Sequence, residues 1–315
     1  MQASNEFWVS WSQRRKIRFV RTVAIVLVLL FLLGRCAFGG DDGDGGDKSA
    51  GSTTTTAAEA TTTTNPMPTA MVAADAATVL PEGRYIAGAG VAGDVIMVIA
   101  GLNDKRNSTD TIWRFNPADG ALTPVGTLPL PLHAAATTGL GGRALVMGGA
   151  KGESVYKDVF AVDADGNVEK LGALPTARAG ATGVTSADGT TAYVVGGYDG
   201  TSPTNEVLMT TDGVTFTPVA TLIHPVRYPA VAVEGRSLWV MGGEYDNVIS
   251  ASVQRIDLDA GTVTEGAPLP AATSRAAGVT VGSSLFLVGG RTPSGVTGQI
   301  LRYEGFSGGF IVSGS

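Results

Sequence analysis

An apolar run closing on a glycine pair recurs five times in this chain: Val95–Gly101, Arg143–Gly149, Ala192–Gly197, Ser237–Gly243 and Ser284–Gly290. The closing glycines stand at Gly101, Gly149, Gly197, Gly243 and Gly290, so the steps are 48, 48, 46 and 47 residues. A fixed period of this size marks a repeat architecture, in which each unit buries its apolar face against its neighbours. The pair itself is Gly148-Gly149, Gly196-Gly197, Gly242-Gly243 and Gly289-Gly290, with Ala100-Gly101 in the first unit.

Other positions keep the same period. A basic residue opens each unit: Arg84, His133, Arg178, Arg227 and Arg275. Most of these follow a Leu-Pro pair closely, at Leu80, Leu128, Leu174 and Leu269, and the fourth unit has Leu222-Ile-His-Pro225 instead. Asn116, Asp163, Asp212, Asp257 and Glu304 close a short run that leads into Gly120, Gly166, Gly213, Gly261 and Gly308. Asx side chains accept downstream backbone amides in turns, and glycine supplies positive φ. These segments read as hairpin turns.

Each unit therefore resolves into four short strands. The first is rich in Ala, Gly and Val, the second is bulky and apolar up to the glycines, and the third ends at the acidic position. The fourth is weaker and outermost, over Leu122–Thr127, Val168–Leu174, Phe216–Leu222, Thr262–Leu269 and Phe310–Ser313. Short strands at even spacing indicate an all-β barrel, sandwich or propeller, and the period selects a propeller of about five four-stranded blades.

The glycine pairs, most fully Gly196-Gly-Tyr-Asp-Gly200, the Leu-Pro-x-x-Arg joint and the period together resemble the kelch family, over residues 84–315. The resemblance implies a kelch-like β-propeller. The family often places Trp in the outermost strand, where this chain has Phe216 at best, and it usually builds six or seven blades. Residues 71–80 precede the first joint as an outer strand precedes the others. They read either as a strand that pairs with the last blade or as a plain linker.

The front of the chain is of another kind. Residues 1–18 are short and basic, with Arg14, Arg15, Lys16 and Arg18; residues 19–38 carry the apolar run Thr22–Leu33 followed by Arg35 and Cys36. A cationic stretch before an apolar core reads as a secretory signal or a signal anchor with its N-terminus cytoplasmic. The expected arrangement is a single-pass anchor in the cell membrane with an extracytoplasmic propeller. The alternatives are secretion after cleavage and a lipoprotein attached through Cys36. Residues 39–75, rich in Gly, Asp, Ser, Thr and Ala, cannot bury a core and read as a disordered tether. The propeller is expected over 76–315.

Charge excludes one class of partner. The chain holds 22 Lys and Arg against 28 Asp and Glu. Residues 1–38 account for six bases and one acid, which leaves 16 against 27 and a net charge of −11 beyond them. Nucleic-acid binding calls for a basic footprint instead. Cys36 is the single cysteine, so no internal disulfide forms. The copper chemistry that the resemblance implies for some relatives needs a cysteine within the propeller.

His133 and His224 are the only histidines, and no nucleophile elbow, phosphate loop or zinc spacing occurs. No cofactor and no metal are expected. Two candidate binding sets remain. The periodic set Arg84, His133, Arg178, Arg227 and Arg275 would form a ring near the mouth of the axis. There it would either grip an anion bidentately or tie each blade to the next. The loops after the glycine pairs carry Tyr198, Asp199, Tyr245, Asp246 and Arg291, a mixture suited to recognition on a rigid scaffold. The leading expectation is a non-catalytic module that binds an envelope protein or polysaccharide. The alternative is a sugar-acid isomerase or oxidase, which the resemblance allows.

Overall fold

The computed structural model describes residues 78–304 and 309–314. The expected basic segment, anchor and tether over 1–75, and Cys36 with them, lie outside the described residues. Among the described residues no helix is long and apolar enough to cross a membrane.

Every described regular element is a strand. The first sheet is β1 (Gly88–Ala92), β2 (Val95–Leu102), β3 (Ser108–Phe115) and β4 (Leu122–Leu132). The second is β5 (Ala136–Leu140), β6 (Arg143–Lys151), β7 (Ser154–Val162) and β8 (Val168–Ala173). The third is β9 (Thr182–Thr185), β10 (Ala192–Val195), β11 (Glu206–Thr210) and β12 (Thr217–Thr221). The fourth comprises β13 (Ala230–Glu234), β14 (Ser237–Met241), β17 (Val253–Asp257) and β18 (Val263–Glu265), with the small hairpin β15 (Glu244–Tyr245) and β16 (Val248–Ile249) between its middle strands. The fifth comprises β19 (Ala277–Val281), β20 (Ser284–Val288), β23 (Ile300–Glu304) and β24 (Gly309–Gly314), again interrupted by a hairpin, β21 (Arg291–Thr292) and β22 (Gly295–Val296). All pairings are antiparallel between sequential neighbours, and the arrangement fits a β-propeller.

The packing explains the composition of each strand. The innermost strands β1, β5, β9, β13 and β19 lie side by side in that order, so small residues belong there. A Cβ on Gly183 would come within 2.9 Å of the Thr137 carbonyl oxygen, and one on Gly278 within 2.5 Å of that of Val231. The second strands are buried on both faces. In β6, Ala144 and Val146 pack toward Met97 and Ile99 of the first sheet, while Leu145 and Met147 pack toward Ala192 and Val194 of the third. Apolar side chains on alternate faces of one strand thus bind two neighbours.

The glycine pair has a lateral purpose. The first member takes a left-handed φ, +67° at Gly148, +61° at Gly196 and +62° at Gly242, and Ala100 is forced into the same region at +57°. The second adopts φ near +105°, a region open essentially only to glycine. Its amide donates to a carbonyl in the joint of the next sheet: Gly149 to Arg178 (2.7 Å), Gly197 to Val226 (2.8 Å) and Gly243 to Thr273 (2.8 Å). A Cβ on the first glycine would meet that same carbonyl oxygen at 2.4, 2.3 and 2.0 Å respectively. The pair is the fastening between neighbouring sheets.

The acidic turn positions behave as the sequence suggests. Asn116 accepts the amide of Ala118, Asp163 those of Asp165 and Asn167, Asp212 those of Val214 and Thr215, and Asp257 those of Asp259 and Ala260. These bonds hold the Asp212 carboxyl down at about 2.

Candidate joint-face site

The joints between sheets and the loops after the glycine pairs lie at one end of the sheets. In each unit a joint residue bridges the residue after the glycines: Tyr85 with Leu102, His133 with Ala150, Ala179 with Tyr198, Arg227 with Glu244 and Ser274 with Arg291. The next residue is left-handed every time: Ile86 (+47°), Ala134 (+54°), Gly180 (+67°), Tyr228 (+55°) and Arg275 (+57°). These five are strung together around the axis by backbone bonds. The amide of Ala134 donates to Ile86, Gly180 to Ala134, Tyr228 to Gly180 and Arg275 to Tyr228.

This frame corrects the expected basic ring. Only His133 and Arg227 occupy the bridging position. Arg84 and Arg178 lie one residue before it, and Arg275 lies one after. The side chains accordingly go to different places. Arg84 is buried and bonds Glu82 at 2.7 Å. Arg178, fully buried, bonds the Glu206 carboxylate and the carbonyls of Gly196 (3.2 Å) and Glu206 (3.0 Å). Burial pushes its guanidinium below the ordinary value in spite of Glu206.

Arg227 and Arg275 do converge, on a residue outside the basic set. Glu244 is 5% exposed. Its carboxylate accepts Nε of Arg275 at 3.0 Å, Nη2 of Arg275 at 3.3 Å, Nε of Arg227 at 3.4 Å and the Ser274 hydroxyl at 2.9 Å. The Tyr228 ring is within cation–π range of both guanidiniums, 5.0 Å from that of Arg227 and 4.4 Å from that of Arg275. Arg275 also reaches across to the Tyr85 hydroxyl of the first sheet, and Arg227 stands over Tyr198 at 5.5 Å. Burial raises the Tyr228 phenol and works against charge on Arg275, but Tyr85 and Glu244 outweigh it and hold that guanidinium above its usual value. Tyr228 packs with Ile86, Ala134 and Ala179, so the chain's own side chains fill this end of the axis.

His133 has a separate environment. Its Nδ1 lies 2.9 Å from the Ser108 hydroxyl, and desolvation lowers its pKa below 6.5. A depressed histidine favours the fold fully above the unfolded value, near 6.5, and that contribution is lost as pH falls through the folded value. The thermal midpoint is therefore expected to fall between pH 7.5 and 5, and by less in His133→Asn. An identical fall in both would remove His133 from the cause.

The loop candidates divide. Asp199 accepts the amides of Thr201 (2.6 Å) and Ser202 (2.8 Å), and the Tyr198 hydroxyl donates to Gly200 at 3.0 Å; both residues shape their own turn. Asp246 and Asn247 are left-handed, at +48° and +64°, as the tight turn of the β15–β16 hairpin requires. That hairpin raises Tyr245 (47% exposed) and Val248 (67%), and the β21–β22 hairpin of the next sheet raises Val296 (47%). Arg291 lies at the base of the second hairpin, bridged to Ser274. Among the described residues no group of acids, histidines and cysteines could hold a metal ion.

No family model and no curated protein matches the chain. Among solved structures it is similar to that of YjhT, with a TM-score of 0.63 and 15% identity over 75% of this chain and 86% of that one. At that identity the likeness concerns the fold alone.

Proposed function

We propose that the chain is a membrane-tethered, extracytoplasmic kelch-type β-propeller that binds an envelope protein or polysaccharide and catalyses no reaction. One contrast on the joint face carries this reading. Arg84, Arg178, Arg227 and Arg275 are each engaged by the protein's own carboxylates. The neighbouring hairpins β15–β16 and β21–β22, by comparison, hold Tyr245, Val248 and Val296 out from the scaffold. Guanidiniums already paired with the protein's own carboxylates are engaged inside the fold, and that of Arg275 ties its joint to Glu244 of the preceding sheet. Exposed aromatic and aliphatic tips on a rigid frame are what a recognition surface offers. The sugar-acid enzyme would need guanidiniums open to a substrate carboxylate, which the pairing with Glu244 and Glu206 does not favour.

A photo-crosslinking residue placed at Tyr245 or Val296 of the full chain, in native membranes, is expected to capture one defined protein or glycan species. The same probe at Asp119, in the turn after β3 at the far end of the sheet, is expected to capture none. Tyr245→Ala with Val248→Ala should weaken capture about tenfold, equivalent to ~1.4 kcal/mol. Equal capture from both ends, or an unaffected double variant, would overturn the assignment of the hairpins.

A further inference from the structure

The outer edges of the sheets are not alike. β4, β8, β12, β18 and β24 each end a four-stranded sheet, so one side of each pairs with no strand of that sheet. Folded proteins guard such edges with charge, proline or brevity, because unpaired amides and carbonyls invite another chain. β4 contains Pro124, Pro129 and Pro131. β8 carries the exposed Glu169 and Lys170, and β18 is three residues long and ends on Glu265. β12 has no charge and a single proline, Pro218. Its Thr217, Pro218 and Thr221 are exposed, while Val219 and Ala220 are half-buried against the core shared by the third and fourth sheets.

A groove of about 430 Å³ runs beside this edge. Pro218–Thr221 line it from the third sheet, Gly261 and Val263 from the fourth, and Ile223 from the joint that connects them. Gly261 lets the fourth sheet's turn come close, since a Cβ there would lie 3.0 Å from the Val219 carbonyl oxygen. Ile223 is 47% exposed and stands one residue after the joint leucine, where the other four units have Pro81, Pro129, Pro175 and Pro270. The one joint that departs from the Leu-Pro pattern is therefore the one beside this uncharged edge. The rim of the groove is acidic. Asp212 lies in the turn that leads into β12, and Asp257 in the turn that contains Gly261; backbone amides hold both carboxyls below their ordinary value. Glu265 shares a strand face with Val263 and lies 2.9 Å from the His224 ring nitrogen. Of the nearby guanidiniums, that of Arg236 bonds Asp259 at 2.9 Å. That of Arg255 stands 5.8 Å from the Trp239 ring, on the face turned to the fifth sheet. Among the described residues this leaves Asp212, Asp257 and Glu265 facing His224 alone.

We propose that this groove takes an extended peptide segment of a partner protein, apolar in its middle and basic at its ends, which adds to β12 as a fifth strand. In strand addition the main-chain bonds supply affinity and the alternate side chains supply selection. β12 offers an edge without the charges that would repel such a segment. Val219, Ala220 and Val263 suit small aliphatic side chains. The carboxylates at the rim complement lysine or arginine at the two ends, and complementary charge sets which partner is accepted. The groove follows the outermost strands, whereas Tyr245, Val248 and Val296 rise from hairpins between middle strands, so the two surfaces can be tested separately.

Fluorescence anisotropy with the full chain in detergent micelles tests this. The probe is a labelled peptide of alternating valine and threonine with lysine at both ends. It is expected to bind, and to bind about tenfold more tightly than the same peptide with glutamate at both ends. A fully N-methylated version has no main-chain donor and is expected not to bind. These comparisons need no variant, so they do not depend on how a substitution folds. Thr217→Lys with Thr221→Lys places on β12 the kind of charge that β8 carries, at two exposed positions, and should weaken the lysine-ended peptide by about tenfold or more. Glu265→Gln should weaken it about threefold, against no change for Glu169→Gln on β8. Absence of binding, equal binding of the lysine-ended and glutamate-ended peptides, retained binding of the N-methylated one, or full affinity in the double lysine variant would each overturn the proposal.

Discussion

Gly242→Ala is expected to cost on the order of 3–5 kcal/mol of folding stability, a large share of the ~5–15 kcal/mol an ordinary domain has. Two effects add. The left-handed φ of +62° strains any L side chain, and the new Cβ would sit 2.0 Å from the Thr273 carbonyl oxygen. That oxygen cannot retreat freely, because it accepts the Gly243 amide at 2.8 Å. Gly235→Ala separates the effects. Gly235 has a similar φ of +55° but nothing within 4 Å of an added Cβ, so it should lose only the conformational part, about 1–2 kcal/mol. Urea unfolding of both variants decides the matter. Equal losses would mean that the approach of the next sheet is not what the glycine pair serves. Hydrogen exchange adds a local readout, since the Gly243 amide should lose protection in Gly242→Ala and keep it in Gly235→Ala.

The same glycines show why the fold was legible in the sequence. The second, third and fourth sheets each need their neighbour's carbonyl at one point, so the requirement recurs with the period and leaves a mark that composition alone would hide. The strand order, the small inner strands and the Asx turns follow from equally local causes. The joint-face site was harder to read. Aligning the units on their basic residues put Arg84, His133, Arg178, Arg227 and Arg275 in one ring. Counting five residues on from Leu80, Leu128, Leu174, Leu222 and Leu269 gives Tyr85, His133, Ala179, Arg227 and Ser274 instead, the residues that bridge to the post-glycine position. That count was available, and it pairs Arg227 with Glu244. What no count along the chain supplies is the meeting of Arg275 with Glu244 and Tyr85. It depends on how sheets lean together around the axis, and side-chain reach across that axis has no sequence period.

Glu244→Ala should have the next largest effect, about 3 kcal/mol, the low end of what removing one member of a buried ion pair costs. The low end applies because the Arg227 and Arg275 side chains keep 26 and 18% exposure and recover some hydration. Glu244 sits directly after the glycine pair of the fourth sheet, and its partners come from two joints: Arg227 from its own, Ser274 and Arg275 from the next. Its loss strands two guanidiniums beside the Tyr228 ring and frees the one that reaches Tyr85. Glu244→Gln keeps an acceptor for Ser274 but removes the charge, so it should fall between wild type and Glu244→Ala. Combining Glu244→Ala with Arg275→Met should cost less than the sum of the single losses, because the second change removes one of the stranded charges. Thermal and urea unfolding at low and high salt complete the test. A buried pair is screened little, so the loss should be nearly independent of salt. A loss below about 1 kcal/mol that shrinks with salt would place Glu244 among ordinary surface pairs. The arginines would then be available to a ligand, and the non-catalytic reading of this face would lose its main support.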